Sequence, residues 1–175
     1  IYIVDTLSVT HAISFLVMYA KKLINEGKTA EEIAEECEKL KSKIRIFAGA
    51  ETLEYLKKGG RLSKTAAFAG SLLNIKPVVS VEDGEINVLG KARGSKQGSN
   101  FLIKEIEKAG GADFSMPLLL GYTGHDPYML EKYKEDSRFI WEGKVENLRE
   151  TCIGSVIGTH VGPGAIAVAF FRKSS

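Results

Sequence analysis

Short apolar, β-branched runs alternate along this chain with segments of helical spacing, and that alternation limits the architectures open to it. Residues 78–81 (V-V-S-V) and 166–171 (I-A-V-A-F-F) have strand character, whereas Ile13, Leu16, Val17, Ala20, Leu23 and Ile24 recur at the spacing of one helix face. Strand and helix signals that follow one another through most of a chain imply an α/β fold, a layered sheet with flanking helices. At 175 residues the chain suits one domain, or one domain with part of another. A hydrophobic share of 44% is enough for a core of ordinary size.

Residues 1–4 (I-Y-I-V) form the first expected strand, and Thr6, Ser8 and Thr10 make a hydroxyl-rich turn before the first helix, which Gly27 ends. The opening strand pattern lacks an initiator Met, as expected for a piece of a longer protein. Thr29 and Glu32 form a capping box for a helix over 30–43 that carries Ile33, Cys37 and Leu40 on one face. Residues 44–48 alternate as a strand. A short helix over 52–58 ends at Gly59-Gly60, where glycine supplies a left-handed cap. The Ala- and Leu-rich segment 65–73 reads as a buried helix, and Pro77 stops its continuation. E-D-G-E at 82–85 signals a hairpin returning through 86–89. A helix over 97–109 closes at Gly110-Gly111, a buried strand covers 116–122, and Asp126-Pro127 opens another helix. Residues 139–141 suggest a small strand and 151–157 a helix. The glycine-rich turn 158–164 then leads into the last strand.

Twenty-four basic and 22 acidic residues leave a net charge of +2, too balanced for a nucleic-acid-binding chain. Two cysteines, Cys37 and Cys152, lie far apart and make neither a disulfide framework nor a zinc site, which points to a reducing, cytoplasmic setting. No apolar run approaches the roughly 18 residues that cross a bilayer, so the chain is not expected to be an integral membrane protein. The acidic stretches 31–38 and 131–136 read as wet helix faces.

The segments with chemical content are few. In Gly59-Gly60-Arg61-Leu62-Ser63 the glycines permit close backbone approach, and Arg61 offers a planar fork suited to carboxylate or phosphate. Spacing alone favours a simple helix cap followed by a surface arginine. Gly158-Thr159-His160-Val161-Gly162-Pro163-Gly164 is a tight turn holding one imidazole, which by itself is more often structural than ligand-binding. The loop from Gly90 to Gly98 is basic and reads as flexible and solvated. No nucleophile elbow, Walker A loop or dinucleotide fingerprint occurs, and His11, His125 and His160 lack metal-ligand spacing, so no catalytic residue, metal or cofactor is expected. An enzyme acting on a small anionic or phosphorylated substrate between Arg61, Lys64 and the loop from Gly90 to Gly98 is the alternative reading.

Several blocks also occur together in order: E-T-L-E-Y-L-K-K-G-G-R-L-S at 51–63, A-G-S-L-L-N-I-K-P-V-V-S at 69–80, K-A-R-G-S-K at 91–96 and H-V-G-P-G-A at 160–165. Together they resemble the DegV family of bacterial fatty-acid-binding proteins across essentially the whole chain. The resemblance implies the C-terminal portion of a two-domain α/β protein, with the N-terminal domain largely missing from this chain. It implies a carrier rather than an enzyme, one that binds a long-chain fatty acid in an apolar tunnel and presents its carboxyl group to a partner kinase that makes acyl phosphate. Carried over by position, Arg61 and His160 belong to the carboxyl network, Phe68, Leu72 and Ile75 to the tunnel wall, and Arg93 and Lys96 to the kinase-facing surface. The family's hydroxyl-and-glycine turn after its opening aspartate reads D-T-L-S-V-T-H-A here, with no glycine before Gly27.

Overall fold

The computed structural model describes residues 1–62, 75–146 and 148–173, apart from the side chain of Ile75. Among these residues, six strands form one mixed sheet in the order β3-β2-β1-β6-β4-β5. The strands are β1 (Ile44–Gly49), β2 (Ile75–Glu82), β3 (Glu85–Arg93), β4 (Leu119–Tyr122), β5 (Glu150–Cys152) and β6 (Ile166–Phe171). Neighbours are antiparallel except β4 and β5. The layered α/β architecture expected from the alternation is present.

One face carries α4 (Ser95–Lys108), α5 (Tyr128–Asp136) and α6 (Arg138–Trp141). Their side chains Leu102, Ile106, Leu130, Tyr133 and Trp141 meet Val78, Leu120, Val168 and Phe170 in the largest core cluster. The second face carries α1 (His11–Asn25) and α2 (Ala30–Lys41) over one end of the sheet, and α3 (Glu54–Lys58) and α7 (Ser155–Val161) over the other. Phe15 of α1 stacks on Phe171 with ring centroids 5.3 Å apart. The α2 capping box forms as expected: Thr29 Oγ1 accepts from the Glu32 amide at 3.3 Å, and Glu32 Oε2 accepts from the Thr29 amide at 2.8 Å. The two-residue turn between β2 and β3 has Asp83 at φ 51 and Gly84 at φ 79, the twist that a tight hairpin requires.

Several expectations change. Among the described residues, 1–4 pair with no strand, and Ile1, Tyr2 and Ile3 are exposed, since a strand pattern without a neighbouring edge has nothing to bond to. Residues 139–141 are helical. One helical turn lets Trp141 bury its ring while Nε1 donates to Ser137 Oγ at 2.8 Å, four residues back. Residues 150–152 extend along β4, and the helix waits until Ser155, because Gly154 is extended at φ −60 and ψ 161. Cys152 therefore ends a strand, where it is exposed, rather than starting a helix. The span from Gly90 to Gly98 is the end of β3 and the first turn of α4, not a flexible loop. The 158–164 segment is helical through Val161, so His160 sits in the last turn of α7. Pro77 lies within β2, and the expected helix over 65–73 lies outside the described residues.

Candidate ligand-binding cavity

Strand β6 separates two kinds of surface by simple alternation. Ile166, Val168 and Phe170 point into the large core, whereas Ala167 and Ala169 point to the second face. Ala169 packs under α1, whereas Ala167, with Ala48 on β1, leaves space beneath α3 and α7. The result is a cavity of about 510 Å³, within the roughly 300–1,000 Å³ usual for small-molecule sites. Ile46, Ala48, Val79, Val81 and Ala167 form its floor. Leu56 stands on one side and Val156, Ile157 and Val161 on another, and Val9 and Thr10 close one edge near Gly84, Glu85 and Ile86 of the hairpin.

The polar groups on this apolar wall are few. Arg61 follows α3 and lines the cavity while remaining exposed, with Nη1 donating to the Gly59 carbonyl at 2.9 Å. His160 lines it from α7, and its Nδ1 is buried without a hydrogen-bond partner among the described residues. Both positions depend on the adjacent glycines. Gly60 takes the left-handed cap (φ 67), and Gly59 gives the His160 ring its seat, since a methyl group at 59 would overlap that ring. Tyr55 lies as closely over Gly162, so α3 and α7 are held together by two glycine contacts. A fixed guanidinium and an imidazole at the border of an apolar space are suited to an amphiphile with an anionic head.

His11 was not singled out from the sequence. It is 2% exposed, neither ring nitrogen has a partner among the described residues, and burial lowers its pKa below the ordinary histidine value. Its ring fills the notch left by the missing side chain of Gly121, beside the cavity-lining Ile153. The signal that could have revealed the cavity is the A-I-A-V-A run at 165–169, whose alternate positions are uniformly small.

The structure brings Arg61 and His160 to one cavity. Phe68 and Leu72 lie outside the described residues, as do Ser63 and Lys64; of Ile75 only the backbone is described, as the first residue of β2. Arg93 ends β3, eight residues from the hairpin edge of the cavity at Glu85, or about 26 Å at 3.3 Å per residue. Lys96 follows in the first turn of α4, and neither residue lines the cavity. None of residues 90–98 lines this cavity. Among the described residues no cluster of His, Cys, Asp and Glu is arranged to hold a metal, and no helix is long and apolar enough to cross a membrane.

Comparison with known proteins gives the same architecture. A DegV domain-containing protein of Clostridium acetobutylicum is 34% identical over 176 residues, covering 99% of this chain and 60% of that protein. A solved DegV family protein of Thermus thermophilus, described by its fatty-acid binding, superposes with a TM-score of 0.80 at 28% identity, covering 97% of this chain and 60% of its own. The Streptococcus pneumoniae Fatty Acid Kinase (Fak) B3 protein loaded with linoleic acid has the same fold, with a TM-score of 0.81 at 23% identity and coverage of 97% and 59%. This chain thus spans about three-fifths of the length of the relatives it matches. The family described as uncharacterised protein, DegV family, matches residues 1–173, and the chain belongs to the DegV family.

Proposed function

We propose that this chain supplies part of a fatty-acid site, with the acyl chain in the cavity beneath α3 and α7 and the carboxylate at Arg61 and His160. The observation that carries this reading is the meeting of Arg61 and His160, 99 positions apart in the chain, on one apolar wall. Burying an acyl tail contributes about 0.8 kcal/mol per methylene, so an unspecific slot of this kind gives useful affinity. A carboxylate moved into such a slot costs several kcal/mol unless donors meet it, and the guanidinium and imidazole are the donors at hand. The fatty-acid binding described for the Thermus thermophilus relative supports the assignment.

In this reading the protein is a carrier, and phosphoryl transfer to the carboxyl group belongs to a separate kinase. Arg93 and Lys96, at the far end of β3 from the cavity's hairpin edge, are the proposed kinase-facing surface, and Phe68, Leu72 and Ile75 the remaining tunnel wall. A cytoplasmic location follows from that partnership.

Native and denaturing mass spectrometry of the purified protein tests the assignment. The expected result is an adduct of fatty-acid mass that is lost on denaturation. Arg61→Ala should reduce its retention about tenfold or more, the usual cost of removing a charged hydrogen-bond partner. Retention equal to wild type in that variant would remove Arg61 from the site.

A further inference from the structure

Three unfavourable features lie within five consecutive residues beside the cavity. Leu7 (φ 48) and Thr10 (φ 45, ψ −114) occupy left-handed backbone although neither is glycine, and Thr10 is β-branched. The next residue, His11, is buried with both ring nitrogens unpartnered among the described residues. Such conformations persist where surrounding structure imposes them, and they gather at segments that move or bind.

The fastenings of this segment are few. The Gly84 amide donates to the Leu7 carbonyl at 2.8 Å, and Lys41 Nζ reaches from α2 to the Asp5 carbonyl at 2.7 Å. Inside the strap, Asp5 Oδ1 accepts from the Leu7 amide at 3.0 Å, which shapes the turn but ties it to nothing else. Val9 and Thr10 of the strap and Gly84, Glu85 and Ile86 of the hairpin all line the cavity, so the seam between strap and hairpin opens into it. Lifting the strap would relieve the two strained residues and bring His11 to water, at the loss of its bonds to α2 and the hairpin, of the Val9 and Thr10 carbonyl bonds that start α1, and of the packing of Val9 against the α1 core.

We propose that residues 5–11 form the gate of the cavity, and that ligand enters and leaves when this strap lifts from the β2–β3 hairpin. The identity of the ligand rests on the fatty-acid reading; the motion does not.

Two measurements separate them. Amide hydrogen exchange on the ligand-free chain reads the lifting: the Gly84 amide should exchange about tenfold faster than amides of β1 and β6. Lys41→Met, which removes a fastening outside the cavity, should speed that exchange about fivefold more. Stopped-flow mixing with cis-parinaric acid reads the consequence. Lys41→Met should raise association and dissociation rates together by about fivefold, leaving Kd unchanged. Thr10→Gly should slow dissociation about fivefold, because relief of the strained φ outweighs the freedom glycine adds to the lifted strap. Gly84 exchange that ignores Lys41→Met overturns the gate. So do rates that stay at wild-type values while that variant opens the hairpin. A chain that binds no cis-parinaric acid overturns the fatty-acid reading, and Gly84 exchange then decides the gate by itself.

Discussion

The two faces of the sheet use the same strands to opposite ends. Under α4 and α5, β6 offers Ile166, Val168 and Phe170, which are 7%, 0% and 0% exposed, and the space is filled. On the other face Ala169 and Phe171 pack under α1, whereas Ala167 floors a space beneath α3 and α7 that reaches the hairpin. A fully packed core thus lies on one side of the strand, and on the other packed and open space lie side by side. The filled side contributes about 1.5–3 kcal/mol for each large side chain, while the open space forgoes part of that burial.

That division can be broken most severely on the filled side. Phe170→Ala should cost about 3–5 kcal/mol in urea unfolding, because Phe47 and the rest of the cluster cannot collapse into the space of a ring. A cost below about 1 kcal/mol would mean that the filled face is not close-packed. On the open side, Ala167→Phe should leave stability within about 1.5 kcal/mol of wild type while reducing fatty-acid retention at least tenfold. Equal retention would show that the acyl chain lies elsewhere. Gly59→Ala displaces the His160 ring and should weaken retention by about fivefold at a stability cost of about 1–3 kcal/mol. Binding assays alongside unfolding curves would separate the two effects.

The smallest effect belongs to His11. Burial holds its imidazole neutral in the fold, so its folded pKa lies below the unfolded value of 6.5. Above that pH both states are neutral and the residue contributes nothing to the pH dependence. As pH falls below 6.5 the unfolded chain binds a proton that the fold resists, and stability drops until the folded imidazole also protonates. His11→Gln should flatten the unfolding midpoint between pH 7 and pH 5, and an unchanged slope would place the titration elsewhere.

Local rules were legible wherever local forces decide. The Thr29–Glu32 capping box and the Asp83-Gly84 turn involve residues within a few positions of each other, and both stand as read. Longer-range competition decided the rest. Residues 150–152 became a strand because β4 offered a parallel edge, and 139–141 became a helical turn because Trp141 found both a core and Ser137. Local pattern alone does not reveal the cavity; only the family resemblance implies a tunnel and joins Arg61 to His160. The motifs around Arg61 and His160 were visible separately, but their meeting depends on how closely His160 approaches Gly59, which no spacing encodes. The burial of His11 cannot be read locally, because its position over Gly121 depends on a strand more than a hundred residues away.

The alternation along β6 has an evolutionary corollary. Inserting or deleting one residue between Ala165 and Phe171 would exchange the two faces of the strand, turning Val168 and Phe170 to the side of the cavity and α1 and alanines into the large core. Length variation in this strand is therefore barred. Substitution at Ala167 and Ala48 remains open, one methyl at a time, without disturbing the opposite side. A lineage can in this way fit its slot to longer, shorter or bent guests while the scaffold that carries the slot stays fixed.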